Sequence, residues 1–122
     1  MFFDAVVGFA ERGPGVKATG SLTFTGTDCV GFVITIGNKA LREAQNGSKE
    51  WIAQGTTAGN ATQIANAINT FIADTGATAV ASSSTVNITA TTGGVAGNSL
   101  VITVSTGGQT SQSGATLSGG SD

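Results

Sequence analysis

Only one stretch of this chain carries a helical period, and the segments around it alternate in twos or run apolar for a few residues. That contrast limits the fold more than any other feature. From Asn60 to Ala73, the residues Ala61, Ile64, Ala65, Ile68, Phe71 and Ile72 fall along one apolar stripe of a helix. Asn60 and Gln63 have the spacing of a capping box, and Gly76 stands where a left-handed C-terminal residue is wanted. A helix of this length is marginal alone and needs an apolar surface to lie on. The rest of the chain must supply that surface as strands.

The strand signals are short and evenly spread. Leu22 and Phe24 alternate with Ser21, Thr23 and Thr25, the two-residue repeat of a half-buried strand. Gly26 to Gly31 reads as a turn, and the apolar run 32–36 as a strand buried on both faces. Residues 78–81 and 86–90 read as two strands joined through Ser82-Ser83-Ser84, and residues 100–104 as a buried strand. Ala115-Thr116-Leu117 is placed to close the sheet, and Ser118 to Asp122 reads as a loose tail. Residues 38–54 are ambiguous. Ala40 to Gln45 are good helix formers, but Asn46-Gly47 is a strong two-residue hairpin signal, with Trp51 and Ile52 following it. The hairpin is preferred.

The expected fold is therefore α+β: antiparallel, sandwich-like sheets with one amphipathic helix, about residues 60–73, packed on a sheet face. Its stripe is expected to bury Ile64, Ile68, Phe71 and Ile72 against Leu22, Phe24, Ile34, Ile88 and Ile102. The domain should span residues 18–120, preceded by an arm over residues 1–17.

That arm has a character of its own. Phe2, Phe3, Val6, Val7 and Phe9 are too apolar for a free tail, and Gly13-Pro14-Gly15 separates them from the domain. No cation precedes this segment and Asp4 interrupts it, so it reads as neither an export signal nor a membrane span. Gly13 to Ala18 also matches G-x-G-x-x-A, but a strand pattern follows where a dinucleotide site needs a helix. The glycines read as a joint. The arm residues, together with Trp51, are the candidate interface, docking on a neighbouring subunit or a larger partner. The competing expectation is a first strand laid on the chain's own core.

Chemistry is scarce. The chain has no His and no Tyr, and its seven carboxylates fall on separate segments. No acid–base pair or calcium-loop spacing results. The single Cys29 lacks the neighbouring cations that would make a thiolate nucleophile, and reads as a small hydrophobe. Catalytic, cofactor and metal sites are expected to be absent. Charged residues make up 10% of the chain and the net charge is −2. Five scattered cations cannot follow a phosphate backbone, so nucleic acid is not an expected partner. A weakly charged surface repels copies of itself little, which favours self-association.

Residues 18–27, 33–37, 61–69, 86–91, 96–100 and 113–120, taken in order, resemble a small β-rich domain of tailed-bacteriophage virion structural proteins. Residues 18–27 (ATGSLTFTGT) resemble its opening strand and residues 33–37 (VITIG) its second strand with a glycine turn. Residues 61–69 (ATQIANAIN) resemble its helix, and residues 86–91 (VNITAT) the strand after it. Residues 96–100 (AGNSL) and 113–120 (SGATLSGG) resemble its last loop and closing segment. The likeness covers about residues 18–120. It departs at Asp28-Cys29-Val30, where the family usually has small polar residues, and at Lys39 to Gln45, where it usually has an aromatic-rich strand.

The resemblance implies a place in a virion and transfers no catalytic residue. A stand-alone copy of such a domain is expected to be a capsid decoration (cement) protein that binds and stabilises the assembled shell. Its expected partners are copies of itself, as a homo-oligomer such as a trimer, and the major capsid protein or another virion protein. The alternatives are a tail, baseplate or head–tail joining component, and, further off, a carbohydrate- or host-binding module.

Overall fold

The computed structural model describes residues 15–46 and 50–122. Seven strands, β1 (Lys17–Phe24), β2 (Val33–Ile36), β3 (Lys39–Arg42), β4 (Ala77–Ser82), β5 (Thr85–Gly93), β6 (Ile102–Val104) and β7 (Thr110–Gln112), form two sheets. One has the order β4-β5-β1-β7 and the other β3-β2-β6, and every strand pairing within them is antiparallel. Helix α1 (Thr57–Thr70) lies on β4, β5 and β1, and the single turn α2 (Ile72–Thr75) follows it. The α+β, sandwich-like expectation is borne out.

The core follows the sequence pattern closely. Leu22, Ile34, Ile64, Ile68, Ile88 and Ile102 are all buried in one cluster with Phe24 and Leu41. On β1, β4 and β5 alternate residues point inward, so Ala77, Ala79, Val86, Ile88, Ala90, Ala18 and Leu22 share one face. The small residues of β4 let α1 settle close to the sheet, while Ile64 and Ile68 fill the space between. At roughly 25 cal/mol per Å² of apolar area, each such isoleucine contributes about 1.5–3 kcal/mol.

Five details differ from expectation. The helix begins at Thr57, not Asn60: the Thr56 side chain accepts the Gly59 N–H at 3.0 Å, as an N-cap does. Asn60 is instead buried, and its carbonyl accepts the Gln54 N–H at 2.6 Å. The helix also breaks at Phe71, whose backbone (φ −113°, ψ 42°) is not helical. The stripe loses phase there, so Phe71 is only half-buried and Ile72 is 39% exposed. Gly76 does occupy the expected left-handed position, with φ 71°.

The third difference is the region 38–54. The hairpin turns at Gly37-Asn38, joining β2 to β3, with Gly37 at φ 60° where a tight turn requires a positive φ. Ala44–Asn46 is a 3-10 turn, and Trp51 meets Glu43 through an isolated bridge rather than a ladder. Fourth, Val33 and Thr35 of β2 are half-buried, so the strand alternates instead of burying both faces.

Fifth, the C-terminus is fixed. Ser121 pairs with Val16, Ser118 with Thr19, and Asn98 exchanges two hydrogen bonds with Gly120 at 2.8 and 3.1 Å. Val16 and Lys17, assigned to the arm from sequence, thus belong to the domain.

Candidate interaction surface

Among the described residues, the two buried titratable groups, Glu43 and Cys29, are held by the fold. Glu43 is 2% exposed. Its Oε1 accepts the N–H groups of Gly31 (2.8 Å) and Gln45 (2.9 Å), and its Oε2 accepts that of Ala53 (3.0 Å). Burial alone would raise its pKa, but the backbone donors outweigh burial and hold the carboxyl below its usual range. Burial and then the Asp28 charge push the Cys29 thiol up, away from a reactive thiolate. Lys39 pairs with Glu50 at 3.6 Å and lies 4.4 Å from the centre of the Phe71 ring. Among the described residues, no three His, Cys, Asp or Glu side chains gather to hold a metal ion. No described helix is long and apolar enough to cross a membrane.

The candidate interface residues divide. Phe2, Phe3, Val6, Val7 and Phe9 lie outside the described residues. Trp51 is a correction: it is 2% exposed, its indole N–H donates to the Leu41 carbonyl at 3.1 Å, and its ring stands 6.3 Å from that of Phe24. A large amphipathic side chain with its one donor satisfied belongs in a core. It offers nothing to a partner.

Among the described residues, one surface open to a partner is the outer face of the four-stranded sheet. The strand register builds it in rows. Thr78, Thr89 and Thr19 form one row, Val80, Asn87 and Ser21 the next, and Ser82, Thr85, Thr23 and Ser111 the third. No charged residue stands in these rows. Thr23 and Thr85 share a hydroxyl–hydroxyl hydrogen bond at 3.0 Å, and Val80 is 68% exposed at the centre of β4. A shallow hollow of about 430 Å³ opens on the same face, lined by Thr19, Ser21, Asn87, Thr89, Ser113 and Ser118 among others. The sequence pattern contained these outward Ser and Thr positions. Only the register shows that they align across three strands.

The outer edge of this sheet is closed. At Ala79, the Asn69 side chain donates to the backbone carbonyl (2.8 Å) and accepts from the N–H (2.9 Å). At Ala77, the Thr75 hydroxyl engages both backbone groups, at 3.2 and 3.3 Å. Two outward-facing pairs of β4 are thus taken by side chains from α1 and α2, which blocks a new strand from adding there. Sequence reasoning missed both residues, because Asn69 and Thr75 look like ordinary members of a helix's polar side. What this geometry offers is a face of three uncharged rows, with Lys17 exposed at its end, beside a guarded edge.

No protein-family model, curated protein or solved structure matches the chain.

Proposed function

We propose that this chain is a virion structural protein that acts by contact, as a capsid decoration (cement) protein bound to an assembled shell. The observation that carries the reading is the outer sheet face, whose Ser, Thr and Asn rows hold no charge and surround the exposed Val80. These rows can lie against a copy of themselves or another protein surface without burying an unpaired charge, the costliest mistake an interface can make, provided that Lys17 stays at the rim. The guarded β4 edge removes strand addition at that side of the sheet. The resemblance of residues 18–120 to virion domains gives the contact its setting.

In this reading the arm residues Phe2, Phe3, Val6, Val7 and Phe9 dock on a neighbouring copy or on the major capsid protein. A protein that binds only the assembled lattice stabilises it by RT ln(1 + [L]/Kd) at every site. Many weak sites then add to a large effect. A sugar-binding module typically presents exposed aromatic rings, and Trp51 lies in the core, which disfavours that alternative.

Counting the chain in purified particles by quantitative mass spectrometry tests the proposal. Copy numbers comparable to the major shell subunit support a cement role. A few to a dozen copies per particle move the protein to the tail, baseplate or head–tail joint. Its absence from particles overturns the virion reading altogether.

A further inference from the structure

A second hollow, smaller and of different chemistry, lies at the end of the domain where the arm is attached. It is lined by Gly76, Ala90, Ala96, Gly97 and Leu100 together with the flank of Thr91 and Thr92, and encloses about 190 Å³. Small residues create it. Gly76 is held in the left-handed conformation that closes α2, and Gly97 is pressed so close to Ala90 and Ala18 that an added Cβ would lie 2.9 and 3.0 Å from their Cβ atoms. Leu100 forms the far wall, and the exposed Val95 adjoins the lining residue Ala96.

An apolar cavity of about 150 Å³ is enough to take a benzene ring, whereas pockets for drug-sized ligands start near 300 Å³. The hollow, open to solvent on one side, is thus of the size of a single aromatic ring. No charged group lines it, and of its two threonines Thr91 already donates its hydroxyl to the Gly76 carbonyl at 3.2 Å.

The chain itself provides the complementary part. Gly15, the first described residue, is adjacent to Gly94, and the Gly94 N–H donates to the Val16 carbonyl at 2.9 Å. The arm thus departs beside the loop that builds the hollow. It carries three phenylalanines within its first nine residues. From Gly15 back to Phe9 an extended chain spans roughly 20 Å, at about 3.3–3.6 Å per residue. That exceeds the two strand spacings, about 10 Å, that separate β1 from β4, so the reach picks out this hollow and leaves the choice of donor copy to the docking in trans proposed above.

We propose that this hollow is the acceptor for a phenylalanine of the N-terminal arm, donated in the assembly by a neighbouring copy. The inference rests on the arm docking in trans and adds the place where it docks. Every copy then carries one donor and one acceptor, a head-to-tail contact that closes into a ring when the rotation allows. Burying one Phe side chain is worth about 1.5–3 kcal/mol, or roughly ten- to a hundredfold in affinity at each contact.

The test uses the full chain with cysteine pairs, Ala96→Cys combined in turn with Phe2→Cys, Phe3→Cys and Phe9→Cys. Cys29 is buried and does not compete. Mild oxidation should give an interchain disulfide for at least one pair, and none when Ser82→Cys, at the other end of β4, replaces the Ala96 variant. In parallel, Ala96→Trp should weaken self-association at least tenfold in light scattering, with circular dichroism and melting temperature near those of the parent. An intrachain disulfide would overturn docking in trans and place the arm on its own domain. No disulfide with any pair, while deletion of residues 1–12 still dissociates the oligomer, would overturn this acceptor and leave the arm's role standing. An oligomer unchanged by that deletion, or a monomer at tens of micromolar, would overturn the arm's role itself.

Discussion

The region under α1 and the Glu43 loop, made of residues 41–46 and 50–53 with Gly31 beside them, both surround buried groups, yet they are built on opposite principles. Under α1 the residues that matter are apolar and periodic: Leu22, Ile64, Ile68, Val86 and Ile88 meet because two regular elements present one face each. In the loop the organising group is the Glu43 carboxylate, which draws three separate backbone segments onto itself and lets Trp51 close over Leu41 and Phe24. Area buried stabilises the first region; satisfied hydrogen bonds stabilise the second. Each should therefore fail in its own way.

The largest effect is expected in the first. Ile68→Ala leaves a cavity between α1 and the sheet, and should lower stability by about 2–5 kcal/mol in chemical denaturation, with little dependence on pH. An equally pH-dependent loss would mean that the two regions are not separate in the way described.

Glu43→Gln should come next, at about 1–3 kcal/mol, because one amide oxygen cannot replace two carboxylate oxygens holding buried donors. This variant also separates the regions by pH. The folded carboxyl has a lowered pKa, so its contribution is complete above the unfolded value of about 4.3. It is lost as pH falls from there through the folded pKa. Stability of the parent should therefore drop below about pH 4 more steeply than that of Glu43→Gln. Parallel curves for the two proteins would remove Glu43 from its central place in the loop.

Asn69→Ala should cost about 1 kcal/mol, one hydrogen-bonded pair at the sheet edge. Its more telling consequence is aggregation: freeing the Ala79 backbone groups opens β4 to a new strand, and turbidity should rise at concentrations where the parent stays clear. Smallest, and opposite in sign, is Ser83→Gly. Ser83 holds φ 55° in the β4–β5 turn, a conformation that costs a residue with a side chain about 1 kcal/mol. Thermal unfolding should show a gain of up to that size.

The same contrast explains how much the sequence discloses. The helix, the inward residues of β1, β4 and β5, and the closing glycine at position 76 are all legible, because period and steric need are written into side-chain type. The Glu43 loop is not. A buried carboxylate in a run of helix formers looks like any exposed one, and its partners are backbone amides that any residue supplies. The C-terminal segment hides for a related reason: main-chain pairing, such as Val16 with Ser121, leaves no mark on a Ser- and Gly-rich tail. Asn60 misleads by being a good cap that is used elsewhere, tying Gln54 to the helix while Thr56 does the capping. For the interaction surface, the sequence supplies the Ser and Thr residues and the register aligns them. Trp51 shows the opposite error, a residue chosen for its aromatic surface that the fold consumes.

The central claim is that the uncharged Ser, Thr and Asn rows on the outer face of the four-stranded sheet meet other proteins in an assembled particle. Locating the chain in the density of the intact particle tests it most directly. The account predicts copies spread over the shell, with the Val80 row turned against a neighbouring copy or the shell surface. Copies seated by another face, with Val80 open to solvent, would contradict the surface assigned here; density without the chain anywhere would contradict the account as a whole.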